Sequence, residues 1–257
     1  MLLNKPTLLL CTLFLARASA FGTAGVVIVT PDSVFIGADS VMQGTARGTT
    51  TGMSQGCKIR KVGNIFYLPV GAYGFKQSNY DVFDAVDKAM ANVHSIKEVY
   101  AAVVPPITDQ LSAVIEFNRK YHTPEYERWL HGITILDIVF ATFEDVPVGM
   151  LIQFRIDANK TKAVSTGHPF KVGAILGLGN NDEMNTATNP GSPWYKHFAA
   201  DPVSATKELI QLEINASSRK KSYDVGPPIS ILRISRYSSG MIPGYEGLCP
   251  PLHPSEN

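Results

Sequence analysis

The sequence lacks several features that would assign a function directly. Its net charge is +1, so the charge balance favours neither nucleic acid nor an anionic membrane as a partner. Its six histidines are scattered without metal-ligand spacing. Gly177-Leu178-Gly179 lacks the further glycine and the helix of a phosphate-binding loop. No metal and no cofactor is implied, although a Ser-His-Asp site is left open.

The sequence also has no long apolar run, and its first apolar run is short. Leu8–Ala16 reads LLLCTLFLA, far below the roughly 20 residues that span a bilayer. Lys5 precedes this run and the small residues Ala18-Ser19-Ala20 follow it, which is typical of a signal peptide over residues 1–20. An uncleaved anchor is the alternative interpretation. We expect a secreted or periplasmic protein with no membrane contact once the signal is removed.

Cysteine is scarce, with only three residues in the chain. Cys11 lies in the predicted signal peptide, so the mature chain retains Cys57 and Cys249. In an oxidising compartment these two side chains can form a disulfide that ties the tail to the body. Two free thiols are the alternative, and the sequence does not decide between them.

Apolar residues make up 45% of the 257 residues, enough for the core of one large domain. We predict that domain over residues 21–237 and an irregular, Gly/Pro-rich tail over 238–257. Two strand hairpins are predicted first, then two or three helices, several strands, a helix and a last strand. This order predicts an α+β fold with mostly antiparallel sheet. The predicted strands are 25–30, 34–38, 58–62, 65–71, 134–143, 150–157, 162–166, 171–178 and 229–234.

Helical spacing of apolar residues predicts a helix over 80–92 and another that begins after Ser95. Pro105-Pro106 is expected to interrupt the second helix, because proline inside a helix removes a hydrogen bond. Asp201 and Pro202 predict the start of a helix that runs to about residue 218. Residues 44–56 and 180–193 are rich in Gly, Thr, Asn and Pro and are expected to be loops.

Thr23 lies three residues after the predicted signal cleavage site. An N-terminal threonine can act as a complete catalytic unit, with its hydroxyl as nucleophile and its own α-amine as general base. The reference pKa of that amine, about 7.7–8.0, suits neutral pH. The amine is free only when Thr23 is the first residue, so a second cut between Gly22 and Thr23 is required after Phe21-Gly22.

Such a nucleophile needs a nearby cation, and Lys58 at the start of the predicted third strand is the candidate. A buried lysine requires a carboxylate partner, which Asp39 at the end of the second strand can supply. Asp224 is a further acid just before the last strand. Each residue also has an ordinary interpretation: Thr23 opens a strand, Asp39 and Asp224 close turns, and Lys58 is a solvated strand end.

Three segments resemble one known family: GTAGVVIVTPDSVFIGADS, KIRKVGNIFYLPVGAYG and YDVGPPISILRI. They are similar to the proteasome β-type subunits and to the bacterial HslV peptidase, which are N-terminal-nucleophile (Ntn) hydrolases. The likeness covers residues 22 to about 75 well and 223–234 moderately. Thr23 and Asp39 have the family's separation, whereas Lys58 comes about three residues late.

The resemblance implies a four-layer αββα sandwich of two mainly antiparallel sheets. It implies a threonine-type peptidase or amidohydrolase in which Thr23, Asp39, Lys58 and Asp224 are catalytic. Backbone N–H groups around Gly71 and Gly74 would border the substrate and hold the oxyanion. The implied partners are a peptide or amide substrate and, as an open expectation, further copies of the chain.

The sequence also departs from the family. Ala24-Gly25 replaces the small hydroxyl residues after the nucleophile, and no serine follows Asp224. The family's Ser-Gly-Ser turn is only weakly matched by residues 177–180, Gly-Leu-Gly-Asn. The predicted signal peptide is unlike a cytosolic proteasome. A non-catalytic protein of the same fold, used for assembly or binding, is therefore the alternative function.

Overall fold

The computed structural model describes residues 23–46, 49–75, 80–179, 182–189, 191–192, 195–198, 200–220 and 224–251. The predicted signal peptide, Phe21 and Gly22 lie outside these residues. The described helices are α1 (Val82–Met90), α2 (Ile96–Lys120), α3 (Pro124–Leu130), α4 (Asp182–Thr188), α5 (Tyr195–Phe198) and α6 (Pro202–Lys220). None of them is long and apolar enough to cross a lipid bilayer.

The described strands comprise four early pairs, a central group and a late pair. They are β1 (Gly25–Val29), β2 (Ser33–Ala38), β3 (Val41–Ala46), β4 (Thr49–Gln55), β5 (Arg60–Val62), β6 (Ile65–Gly71), β7 (Gly74–Phe75), β8 (Tyr80–Asp81), β9 (Leu136–Phe143), β10 (Pro147–Ile156), β11 (Ala163–Phe170), β12 (Ile175–Leu178), β13 (Ser230–Ser235) and β14 (Ser239–Met241).

Two five-stranded sheets form the centre of the molecule. The first has the strand order β12-β1-β2-β13-β14 and the second β11-β10-β9-β6-β5. All of the pairings in these two sheets are antiparallel. The short ladders β3-β4 and β7-β8 lie outside them.

Three buried apolar clusters fix the order of the layers. One cluster lies between the two sheets and includes Val27, Ile36, Leu68 and Val139. A second joins α1 and α2 to the outer face of β6, β9 and β10. The third joins α4 and α6 to the outer face of β1 and β2. The expected α+β fold, a four-layer αββα sandwich of two antiparallel sheets, is confirmed.

The β1–β2 hairpin forms because its β-branched strands flank a turn with its own hydrogen bonds. The Thr30 hydroxyl donates to Asp32 Oδ1 over 2.7 Å and accepts from the Ser33 N–H over 3.1 Å. Gly25 pairs with Ala38 at the open end, and the Asp39 N–H donates to Ala24 O over 3.1 Å. This register places Asp39 beside the first residues of β1.

Two loop expectations are wrong. Residues 44–56 are not a loop, because they contribute to the β3-β4 ladder. Its threonines favour strand and outweigh the glycines that suggested a loop. Residues 180–193 contain α4, which the composition hid. The Met184 N–H donates to Glu213 Oε1 over 3.1 Å, so α6 holds this short helix. That contact is tertiary and leaves no local sequence signal.

The expected interruption at Pro105-Pro106 is also wrong, because both prolines lie inside the continuous helix α2. Proline in a helix interior costs about 3 kcal/mol or more through a lost hydrogen bond and a steric clash. Against this, one face of α2 is fully buried along its length, with Val99, Val103 and Leu111 at 0% exposure. Most helix stability in proteins comes from such packing, which here outweighs the local cost.

The tail needs a correction at its start. It was expected to be irregular from residue 238, yet Ser239–Met241 pairs with the edge of β13. Ile231 N–H also donates to Tyr245 O over 2.8 Å. Further along, Cys249 forms a disulfide with Cys57, which resolves the alternative that the sequence left open. The tail is thus tied to the segment that directly precedes Lys58.

Candidate active site

Thr23 lies just before β1 with its side chain in the interior of the molecule. The residue is 2% exposed. Its hydroxyl oxygen Oγ1 accepts a hydrogen bond from Lys58 Nζ over 3.3 Å and a second from the Tyr73 hydroxyl over 2.7 Å. Two donors therefore converge on the one atom that the sequence marks as a nucleophile.

Lys58 and Asp39 form a fully buried ion pair next to Thr23. Lys58 Nζ lies 2.6 Å from Asp39 Oδ1, and both side chains have 0% exposure. Lys58 lies two residues before β5 rather than at the start of a strand as expected. The Cys57 disulfide and the buried neighbour Ile59 hold this irregular segment in place.

Asp39 has further donors besides the lysine. Oδ1 also accepts from Ala24 N–H over 2.9 Å, and Oδ2 accepts from Val41 N–H over 3.0 Å and Gly226 N–H over 3.2 Å. A buried charge is tolerated only when it is paired and hydrogen-bonded in this way. Asp39 thereby fastens the Thr23 segment, Lys58 and the loop before β13 to one point.

Burial governs the acid–base behaviour of this pair. It raises the pKa of the Asp39 carboxyl, while the Lys58 charge and its hydrogen bond oppose that change. It lowers the pKa of Lys58, against the opposing charges of Asp39 and then Asp224. An ammonium with a lowered pKa gives up a proton more readily than an exposed lysine does. Lys58 can therefore both stabilise negative charge on Oγ1 and take part in proton movement.

Asp224 is buried at 6% exposure and close enough to act on Lys58 electrostatically. No serine follows Asp224 in the sequence, but the side chain of Ser217 on α6 contacts this carboxylate. The Ser217 hydroxyl donates to Asp224 Oδ1 over 2.7 Å and accepts from Asp224 N–H over 3.1 Å. Ser217 lies seven residues before Asp224 in the sequence, but no local pattern there predicts the contact.

Tyr73 is the site residue that sequence reasoning missed. In the sequence GAYG the two glycines are predicted to border the substrate, and nothing there predicts a role for the tyrosine between them. The ring stacks on Phe83 of α1, with centroids 5.8 Å apart and planes at 12°, and Lys58 Nζ lies 5.6 Å from the ring centroid. Burial raises the pKa of the Tyr73 phenol well above its ordinary value, so the group remains a neutral donor.

Gly71 and Gly74, the predicted substrate-binding residues, have different surroundings. Gly71 has φ +121°, and a Cβ there would come 2.5 Å from Ile135 O, so only glycine fits. Ala72 N–H donates to Ile135 O at the end of the β6-β9 ladder. Gly74 is exposed and pairs with Asp81 in the β7-β8 ladder.

A cavity of ≈ 280 Å³ lies between the sheets beside these residues. Its wall includes Gly71, the end of β12 and Gly179, and Leu178 of β12 pairs with Gly25, two residues after Thr23. The cavity thus borders the strand that pairs with β1, and Thr23 itself is not among its lining residues. The remaining polar wall comes from β9, β10 and α3, through Asp137, Gln153, Arg155 and Arg128.

Asp137 is the unusual group of this cavity. It is 6% exposed, and its partners are Gln153 Nε2 at 3.1 Å and the Thr134 hydroxyl at 3.4 Å, both neutral. Burial raises the pKa of this carboxyl to about 6. The sequence gave no sign of this residue, because it lies in an otherwise apolar strand.

The structure thus defines a four-layer αββα sandwich in which Thr23, Lys58, Asp39 and Asp224 meet at one end of the first sheet. No family model and no curated protein matches this chain. Among solved structures it is similar to the "Anbu (Gly-1) mutant from Hyphomicrobium sp. strain MC1". The identity is 13%, the TM-score is 0.45, and the match covers 86% of this chain and 87% of the other. The function proposed below therefore rests on the geometry of the site.

Proposed function

We propose that this chain is a threonine-type N-terminal-nucleophile hydrolase that cleaves peptide or amide bonds after a cut exposes Thr23. The position of Lys58 Nζ carries the proposal, since it bonds to both Asp39 and Thr23 Oγ1 in a buried site. A lysine this deeply buried is costly, and a purely structural role at the mouth of a hairpin does not require one. Contact with a threonine hydroxyl gives it a chemical use.

In the proposed reaction the free α-amine of Thr23 takes the proton from Oγ1 as the hydroxyl attacks the substrate carbonyl. The Lys58 ammonium stabilises the charge that develops on Oγ1, and Asp39 holds that ammonium in place. Asp224, anchored by Ser217, adds a negative charge near Lys58. The amine then passes its proton to the leaving nitrogen, and water hydrolyses the ester on Thr23.

The oxyanion would be stabilised by the backbone N–H of Gly71, at the end of β6 beside the cavity. One preorganised donor of this kind is worth about 3–4 kcal/mol of barrier lowering. The adjoining cavity offers room for a substrate side chain. Gly74, the other predicted substrate-binding residue, is exposed and pairs with Asp81, and its contact with substrate stays a prediction.

Export from the cytoplasm is part of the same proposal. Residues 1–20 have the pattern of a signal peptide. The Cys57–Cys249 disulfide supports this interpretation, because structural disulfides persist mainly in secreted and periplasmic proteins.

A non-catalytic binding protein of the same fold is the second candidate. One observation favours it: Thr23 is 2% exposed, and its hydroxyl already accepts two hydrogen bonds. In that case Thr23 would remain within the chain and Lys58 would only stabilise the hairpin mouth.

Intact-mass measurement of the purified protein distinguishes the two candidates. We expect the mature chain to begin at Thr23, and Thr23→Ala to block the cut if the hydroxyl itself attacks the Gly22-Thr23 peptide bond. An active preparation with a stable Phe21 start would contradict the proposed mechanism, because an amide nitrogen cannot serve as the base.

A further inference from the structure

Tyr73 touches the proposed nucleophile directly, and the reaction above gives it no role. A hydroxyl oxygen has two lone pairs, and on Thr23 Oγ1 one accepts from Lys58 and the other from Tyr73. Attack on a carbonyl carbon uses one of these lone pairs. The remaining direction at Oγ1 holds the proton that passes to the α-amine, so the carbon has to approach from the side of one of the two donors, and that donor has to release Oγ1.

Tyr73 is the donor that can be released. Lys58 is held by Asp39 at 2.6 Å, so its ammonium stays in place throughout. Among the described residues the hydrogen bond of the Tyr73 hydroxyl goes to Thr23, and no second partner there holds this hydroxyl as Asp39 holds Lys58. Its ring, in contrast, is fixed by stacking on Phe83. A hydroxyl on a fixed ring can redirect its hydrogen by rotation about its own C–O bond.

We propose that Tyr73 is an oxyanion donor: as Thr23 Oγ1 attacks, the phenol hydroxyl moves its hydrogen bond from Oγ1 to the substrate carbonyl oxygen. This inference rests on the proposed function. The two oxygens are bonded to the same carbon in the tetrahedral intermediate, so a donor 2.7 Å from one is close to the other. Tyr73 and the Gly71 N–H would form a two-donor oxyanion hole.

The electron and proton movements balance without a further reactant. A lone pair of Oγ1 forms the bond to carbon, and the carbonyl π pair moves to the carbonyl oxygen. The Oγ1 proton goes to the α-amine of Thr23, while Tyr73 keeps its own proton. When the intermediate collapses, the C–N bond breaks, the amine proton goes to the leaving nitrogen, and the Tyr73 hydrogen bond is released.

The test compares Tyr73→Phe with Tyr80→Phe, both in chains whose Thr23 start has been verified by mass. Tyr80 is a matched control, because its hydroxyl donates to Ala72 O over 3.1 Å in the same segment without touching Thr23. For Tyr73→Phe we expect kcat to fall roughly 10²–10³-fold, as for loss of one oxyanion donor, with KM changed only a few-fold. Tyr80→Phe should retain kcat within a few-fold.

A second measurement separates an oxyanion role from a packing role. Peptide aldehydes form a tetrahedral adduct with a threonine hydroxyl, so their affinity should fall in Tyr73→Phe by about the same factor as kcat/KM. Unchanged kcat in Tyr73→Phe, or unchanged aldehyde affinity despite lower kcat, would overturn the inference while Thr23-dependent hydrolysis continued. Failure of the proposed function would differ: the wild-type chain would then show no hydrolysis beyond that of Thr23→Ala.

Discussion

Lys58 carries a buried positive charge between two oxygen atoms, Asp39 Oδ1 and Thr23 Oγ1. The two contacts have different consequences. The first makes burial of the lysine tolerable, and the second brings the charge to a hydroxyl. Removing either partner of a buried ion pair leaves an uncompensated charge, which costs about 3–5 kcal/mol.

Lys58→Ala should abolish hydrolysis with the fold retained, because the cation beside Oγ1 is gone. Asp39→Asn should be nearly as damaging, because it leaves the lysine buried without its counter-charge. Turnover of a peptide amide, with circular dichroism as the check on folding, measures both effects. Lys88→Ala is the control, since it breaks an exposed 2.7 Å ion pair with Asp84 on α1. Wild-type turnover in either site variant would refute the assignment.

Asp137 gives a pH-dependent prediction. Its pKa is raised from 3.8 to about 6 by burial, so the folded state holds a proton that the unfolded chain has lost between these values. The group therefore destabilises the fold increasingly as pH rises from about 4 to 6, by about 3 kcal/mol in total. The free energy of unfolding of Asp137→Asn, taken relative to that of wild type at the same pH, should therefore rise by about 3 kcal/mol from pH 4 to pH 8.

Thermal or denaturant unfolding at the two pH values measures this change. Asp157→Asn is the control: backbone N–H donors of Lys162 and Thr161 lower the pKa of that exposed carboxyl, so its contribution changes mainly below about pH 4 and the variant should follow wild type between the two pH values. Equal pH dependence in Asp137→Asn and wild type would contradict the account of Asp137.

At the scale of elements, the β1–β2 hairpin organises the site. The hydrogen bonds of its turn join neighbouring residues, and its strands are rich in β-branched residues. The sequence was therefore sufficient to predict the hairpin and to predict that Asp39 lies near Thr23. Lys58 was also predictable, because a buried nucleophile site needs a cation.

Other elements depend on contacts that no local pattern reveals. Helix α2 continues through two prolines because its buried face packs along the second sheet, and α4 exists because Glu213 caps it from α6. Tyr73 and Ser217 reach the site only through tertiary packing. Local propensity predicts the parts of this fold that local forces decide, and it fails where distant side chains outweigh them.

At the scale of the whole molecule, the four layers place the Thr23 site at one end of the space between the sheets. Most of the described part of that space is apolar, and a partly polar cavity lies in it beside Gly71 and Gly177–Gly179. The Cys57–Cys249 disulfide, between residues 192 positions apart, ties the C-terminal tail to the segment that carries Lys58. The far end of the chain thus helps to hold the site's cation in place.

Covalent labelling of Thr23 tests the central claim most directly. A peptide epoxyketone closes a ring with both the hydroxyl and the α-amine of an N-terminal threonine, so it reports the two proposed groups together. The account predicts one label per mature chain, located at Thr23, and slower labelling of Thr23→Ser. It predicts none for Thr23→Ala or for a chain that starts at Phe21. Equal labelling of Thr23→Ala, or none on a verified Thr23-start protein across several peptide sequences, would contradict the account.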